Sequence, residues 1–155
     1  MSNQRISVRE AYFETIPGKE LFEFVCGDLL GFGIHRIVFA YRPDPTCVIK
    51  YQNQPGFFDN VREWDLWNSV KHEPYVHRWL APCVSISENG IWLVQKRTKP
   101  LPDHYKLPDR VPRFMTDLKR QNFGIFEKCL VAHDYANNLC VNHALSKATK
   151  KADWF

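Results

Sequence analysis

The segment Asp117-Leu118-Lys119-Arg120-Gln121-Asn122 sets an Asp, a Lys and an Asn at offsets of two and five residues. Phosphoryl transfer asks for this set: an Asp to orient an attacking hydroxyl and take its proton, a Lys to neutralise the moving phosphoryl, and an Asn oxygen for Mg²⁺. A polar loop whose Asp and Asn cap turns has the same composition. Downstream, His133-Asp134-Tyr135-Ala136 follows the apolar run Leu130-Val131-Ala132. An Asp at a strand end, beside a loop that supplies Asn, makes a hard-oxygen Mg²⁺ site. Upstream, Lys50 closes Val48-Ile49-Lys50, where a Lys can reach the α/β-phosphates of a nucleotide if a carboxylate holds it. Glu63 follows thirteen residues later and could supply that carboxylate, with Asp65 as the competing candidate. Gly31-Phe32-Gly33, ahead of Val38, would let the backbone approach a phosphate closely. The same glycines also suit a plain hairpin turn. A dinucleotide fingerprint is excluded because a strand, not a helix, follows them, and a P-loop because no G-K-[ST] occurs.

The elements that must position these groups are short. Residues 1–20 are polar and end in the turn signal Pro17-Gly18. Phe22–Cys26 reads as a first strand, Ile34–Tyr41 as a second that completes a hairpin, and Cys47–Tyr51 as a third. From Phe57 to Lys71 the apolar residues Phe57, Val61, Trp64, Trp67 (or Leu66) and Val70 recur at helical steps, which predicts a helix with Trp64 and Trp67 in the core. Asp59 or Asn60 could cap it, and Pro74 lies just beyond its end. Cys83–Ile86 and Ile91–Val94 bracket Glu88-Asn89-Gly90 as a second hairpin. Arg97–Pro112, with four prolines, reads as a connector that has room for one short helix. Phe123–Phe126 and Cys129–Ala132 predict two short strands, and Asn138–Lys150 a terminal helix whose lysines suit its C-terminal end. The order predicts an α+β fold with an antiparallel N-terminal sheet and one packed helix.

Composition sets the limits. The chain has 155 residues, 45% of them hydrophobic and 25% charged, with a net charge of +4. That balance excludes a disordered chain and predicts one domain able to bury a core. No apolar run is long enough to span a membrane, and no apolar h-region follows Met1, so a secretory route is not expected. Five cysteines, odd in number and without a C-x-x-C, predict reduced thiols and a cytoplasmic setting. Cys140-Val141-Asn142-His143 is half of a zinc pattern without a second half. Nucleic-acid binding through Lys147, Lys150 and Lys151 is not expected, since a charge run at a helix end is usually a solvated face. Trp154-Phe155 could be a docking tail, a dimer contact or simply packed.

Taken in order, these features resemble the protein-kinase family. Gly31-Phe32-Gly33-Ile34-His35-Arg36-Ile37-Val38 is similar to the glycine-rich loop and Val48-Ile49-Lys50 to the third-strand V-A-I-K. Glu63 stands for the helix Glu, Asp117, Lys119 and Asn122 for the catalytic loop, and Asp134-Tyr135-Ala136 for D-F-G. The nearest likeness is to small kinase-like proteins of bacteriophages, which would place the chain in a host cytoplasm. The resemblance implies a kinase-like N-lobe over about residues 1–95, with five antiparallel strands and one helix. A strongly reduced C-lobe over 96–155 would complete a single domain. It implies ATP and Mg²⁺ as cofactors. Gly31, Phe32, Gly33, Val38, Lys50 and Gln95 would line the nucleotide site, with adenine near Gln95-Lys96-Arg97. Lys50 and Glu63 would act on the α/β-phosphates, Asp117 as base, Lys119 on the γ-phosphoryl, and Asn122 and Asp134 on the metal. The implied activity is transfer of the γ-phosphoryl to a hydroxyl of a protein or of the chain itself. The alternative is a weak or inactive kinase-like protein that docks on a host protein and inhibits it. The departures from the family are Arg36 for the third glycine, Met115-Thr116 for His-Arg, the loss of the D-F-G glycine, and no room for an activation segment.

Overall fold

The computed structural model describes residues 16–137 and 147–155. A helix α1 (Ile16–Val25) leads into β1 (Cys26–Phe32), β2 (Arg36–Tyr41) and β3 (Cys47–Gln52). Helix α2 (Asp59–Val70) and the short α3 (Pro74–His77) follow, then β4 (Cys83–Ile86) and β5 (Trp92–Lys96). These strands form one antiparallel sheet in the order β1-β2-β3-β5-β4. All six residues of β3 are buried, as expected for a central strand covered on both faces.

The first strand departs from the sequence expectation. Phe22–Val25 is helical, and the strand begins where the helix ends, at Cys26. Lys19-Glu20-Leu21 are good helix formers behind Pro17 in the first turn, and they draw the short apolar run into the helix. Strand β1 then runs through Gly31 and Phe32, so the hairpin turns over Gly33–His35 instead of at the glycine pair.

Each face of the sheet has its own core. Under α1, Cys26, Cys47, Ile49 and Val94 pack with Phe22, Phe39 and Trp92. Phe22 meets Phe39 edge-on, with ring centres 5.3 Å apart, and Tyr51 stacks on Trp92 at 4.4 Å. On the other face, Leu66 and Val70 of α2 pack with Leu80, Leu93, Phe114, Met115 and Tyr135. Trp64 and Trp67 flank that core, partly buried. The buried stripe of α2 is Asp59, Asn60, Glu63, Leu66 and Val70, so three of its five residues are polar. Asn60 explains part of this: its side-chain amide donates to the carbonyls of Lys50, Gly90 and Ile91 at 3.2, 3.2 and 2.9 Å. It ties the first turn of α2 to β3 and to the β4–β5 turn.

After β5 the chain makes a three-stranded sheet from β6 (Lys99–Pro100), β8 (Phe123–Phe126) and β9 (Cys129–Ala132), in the order β6-β8-β9. A two-residue turn joins β8 to β9, with Glu127 and Lys128 both at positive φ. A parallel bridge from Leu80 to Ala132 and two backbone hydrogen bonds, Ala81 to Ala132 and Ala132 to Trp79, fasten this sheet to the segment after α3. The connector contains no helix; Arg110–Pro112 forms β7 and pairs with β10 (Thr149–Lys151). Only the end of the predicted terminal helix can be compared: Thr149 and Lys150 are extended, because β7 offers them an edge. Residues 138–146, with the Cys140–His143 motif, lie outside the described residues. Among the described residues, no helix is long and apolar enough to cross a membrane. The four described cysteines are all unpaired, and Cys26, Cys47 and Cys83 are buried.

Candidate active site

Lys50 lies on the middle strand, on the face that looks towards α2. Its Nζ donates to Glu63 Oε2 at 2.7 Å and also to the carbonyl of His133. Glu63 is fully buried and Lys50 nearly so. Asp65, two residues on, is exposed, so helix rotation decides between the two candidate carboxylates. Glu63 Oε1 accepts two further bonds, from Arg36 Nη2 at 3.0 Å and from the Tyr135 amide at 2.9 Å. Burial alone pushes the Glu63 carboxyl up; the Arg36 guanidinium and the Lys50 ammonium more than reverse this and hold it down at about 2. The shift favours the ionised carboxylate at neutral pH.

Arg36 opens β2 and turns inward. The same Nη2 that reaches Glu63 also donates to Asp134 Oδ1. Two cations and two carboxylates thus balance within one cluster, gathered from β2, β3, α2 and the strand end after β9. Asp134 is the most open member, its side chain about half exposed (47%). Desolvation raises its pKa, Arg36 works against that, and Glu63 adds to the rise.

Asn122 joins the two loops behind the cluster. Its carbonyl accepts from the amides of His133 (2.8 Å) and Asp134 (3.3 Å), and its side-chain amide lies 3.5 Å from the Asp117 carbonyl. Asp117 Oδ1 and Lys119 Nζ form an ion pair at 3.3 Å. The two loops are also linked by Thr116, whose hydroxyl donates to the Asn137 carbonyl. The C-terminal residues close this side: the Phe155 amide donates to the Leu118 carbonyl, and Lys119 lies over the Phe155 ring.

The glycine pair lies at the outer end of the β1–β2 hairpin. Register places Gly31 opposite Val38, and Val38 opposite Lys50. At the usual strand spacing, Gly31 is two strands and about 10 Å from Lys50. Phe32 is largely exposed. Neither glycine is needed for packing: an added Cβ at Gly31 would meet nothing within 4 Å, and at Gly33 only the Arg36 carbonyl at 3.9 Å. Gln95 lies elsewhere. It is fully buried in β5, with its amide towards the Ala81 carbonyl (3.4 Å), so its side chain belongs to the interior beside Tyr135 and Cys83.

Sequence reasoning missed three partners. Arg36 was visible only as the residue standing where a third glycine would be. His133 is locked between the Thr98 hydroxyl at Nδ1 (2.8 Å) and the Gln121 carbonyl at Nε2 (3.0 Å), which places its proton on Nε2. Burial, then the charge of Lys50, push its pKa down to about 4. Tyr135 is buried, its hydroxyl donating to the Ala81 carbonyl and meeting Cys83 Sγ at 3.0 Å. Burial pushes the Cys83 thiol up to about 12, which removes it as a nucleophile.

A buried ammonium and a guanidinium lie beside two loops that carry carboxylate and amide oxygens. For a metal, Asp134 and Asn122 supply suitable oxygens, but Asp134 already holds a guanidinium. No group of three or more His, Cys, Asp or Glu able to hold a metal occurs among the described residues. No protein-family model matches the sequence, and no curated protein matches it either.

Proposed function

We propose that the chain is a reduced kinase-like domain whose cluster binds ATP and transfers its γ-phosphoryl to a hydroxyl of a protein or of the chain itself. One observation carries this reading: the buried Lys50–Glu63 ion pair lies within one guanidinium of Asp134, and Asn122 joins Asp134 to the Asp117 loop. A salt bridge between side chains 4% and 0% exposed is a costly way to gain stability, since desolvation consumes most of the Coulomb attraction. Holding a Lys charged and fixed for an anionic ligand gives such a pair a purpose.

In this reading Lys50, oriented by Glu63, binds the α/β-phosphates, and Gly31, Phe32, Gly33 and Val38 form the cover over them. Asp117 accepts the proton of the acceptor hydroxyl as that oxygen bonds to the γ-phosphorus. The bond from phosphorus to the bridging oxygen breaks, and ADP leaves with the electron pair. Lys119 neutralises the equatorial oxygens. Mg²⁺ held by Asn122 and Asp134 would neutralise the phosphate charge. Most of the rate enhancement is positioning and electrostatics.

Incubation with Mg²⁺ and γ-labelled ATP should label the chain or a target in a lysate. Asp117→Ala should reduce labelling at least about a hundredfold, as loss of a general base does. Labelling unchanged in that variant rejects Asp117 as the base. A second reading is favoured by Arg36, which neutralises the metal carboxylate: a kinase-like binding protein that docks on a host protein and inhibits it. Exposed Phe32, Ile34 and Phe58 supply apolar contact area for such docking. In that case partner capture survives Asp117→Ala, and no label is transferred by the wild-type chain.

A further inference from the structure

Arg36 has more donors than its partners use. Nη2 serves both Glu63 Oε1 and Asp134 Oδ1. Nη1 of the same planar group is buried and finds no acceptor among the described residues. The side chain as a whole is 9% exposed. A buried donor without an acceptor is destabilising, and that cost is recovered when an acceptor arrives.

Within the cluster a cation-bearing group already stands on Asp134. A divalent metal at that carboxylate would join it to phosphate oxygens by bonding both. Arg36 has the same capacity: one nitrogen on the carboxylate, the other spare, in a rigid fork that fits phosphate oxygens. We infer that Arg36 takes the place of the divalent cation, so that the site binds the polyphosphate of a nucleotide without Mg²⁺, Nη1 donating to a phosphate oxygen while Nη2 stays on Asp134. The inference rests on the nucleotide reading above and deepens it. It separates binding from transfer: binding needs only Lys50 and Arg36, whereas a metal that acts in transfer must first displace Arg36 from Asp134.

The charges around Arg36 support this division. Glu63 and Asp134 are the anions it touches, with Asp59 the next carboxylate, and Lys50 is the neighbouring cation on Glu63. Both carboxylates of the cluster are already paired with a cation, so neither stands unpaired to repel an entering polyphosphate. Asp59 is itself held by His35 at 2.9 Å and by Arg62 at 3.6 Å.

The test is calorimetric titration of the full chain with ATP, and separately with inorganic triphosphate, in EDTA and in excess Mg²⁺. The expected result is ATP binding in EDTA with a Kd within about threefold of that in Mg²⁺, a difference under 1 kcal/mol. Arg36→Gln should weaken binding in EDTA about tenfold to a hundredfold, the loss of one charged hydrogen bond. If Arg36→Gln loses the far-UV circular dichroism of the fold, Arg36→Lys, which keeps the charge but not the fork, replaces it under the same criterion. ATP binding by the wild-type chain only when Mg²⁺ is present overturns the inference and leaves the nucleotide reading standing. Equal binding in EDTA by wild type and variant also overturns it. Absence of ATP binding under both conditions overturns the nucleotide reading itself. Triphosphate binding alone would assign the site to the polyphosphate and remove the adenosine from the proposal.

Discussion

Glu63 shows how much chemistry one buried side chain can organise. It accepts from Lys50, Arg36 and the Tyr135 amide, and so binds β3, β2 and the strand end after β9 to α2. His133, on the adjoining residue of that strand end, makes a pH dependence that can be stated with its sign. An unfolded His takes up a proton below about pH 6.5, whereas the folded His133 resists until about pH 4. The unfolded state therefore binds more protons in that window, and stability present above pH 6.5 is lost as the pH falls towards 4. Urea unfolding at pH 6.5 and at pH 5 should differ by at most about 2 kcal/mol from this group, and His133→Gln should remove that difference. An unchanged slope in the variant would place the acid sensitivity elsewhere. At this scale Lys50, Glu63 and Asp134 were legible, because residue type and chain order were enough to nominate them. Arg36 was not, because a lone Arg at the start of a strand looks like a solvated residue. Its partner Asp134 is 98 positions away, and nothing local in the sequence announces such a contact.

Elements that end in clear punctuation were also legible. Strands β2 and β3, helix α2, and the β4–β5 and β8–β9 hairpins lie within a residue or two of where period and turn residues place them. Helix α1 was missed because a run as short as Leu21–Cys26, apolar except for Glu23, does not distinguish helix from strand. Strand β10 was missed because its partner is the distant β7, which pairs Lys151 with Arg110 and Thr149 with Pro112. Two glycines make a test that separates binding elements from structural ones. At Gly124, in β8, an added Cβ would lie 2.5 Å from Thr98 Oγ1 and 2.7 Å from the Lys99 carbonyl, a backbone atom that cannot rotate away. Gly124→Ala should therefore cost about 1–3 kcal/mol, as overpacking does, and loosen the Thr98 contact to His133. Gly31→Ala meets open space and should leave the urea midpoint within about 0.5 kcal/mol of wild type. If β1 covers the phosphates, Gly31→Ala should still weaken ATP binding. A variant that binds ATP as wild type does would free that strand of the role.

Across the whole molecule, the candidate site depends on one core that both halves of the sequence build. Leu66 and Val70 come from α2, Leu93 from β5, and Phe114, Met115, Leu118, Phe123 and Tyr135 from the later segments; all meet in one buried cluster. The backbone repeats the connection, since Ala132 both donates to Trp79 and accepts from Ala81. A boundary near residue 96 would cut the core under α2, because Phe114 and Met115 are fully buried against residues that precede it. The described residues of the later segments form short strands and a 3₁₀ turn at Arg120–Asn122, so their order comes from this packing. Phe114→Ala tests the dependence. Removing a fully buried Phe costs about 3–5 kcal/mol. If the chain unfolds as one unit, the loss should lower the urea midpoint equally by far-UV circular dichroism and by fluorescence of Trp92, which lies on the opposite face of the sheet, read in a variant with the other tryptophans replaced by Phe. A Trp92 signal that keeps its wild-type midpoint while the circular dichroism falls would mean that the N-terminal sheet stands without the later loops. Lys50 and Glu63 would then be held together independently of Asp134, and the convergence of the cluster would no longer follow from a single folding event.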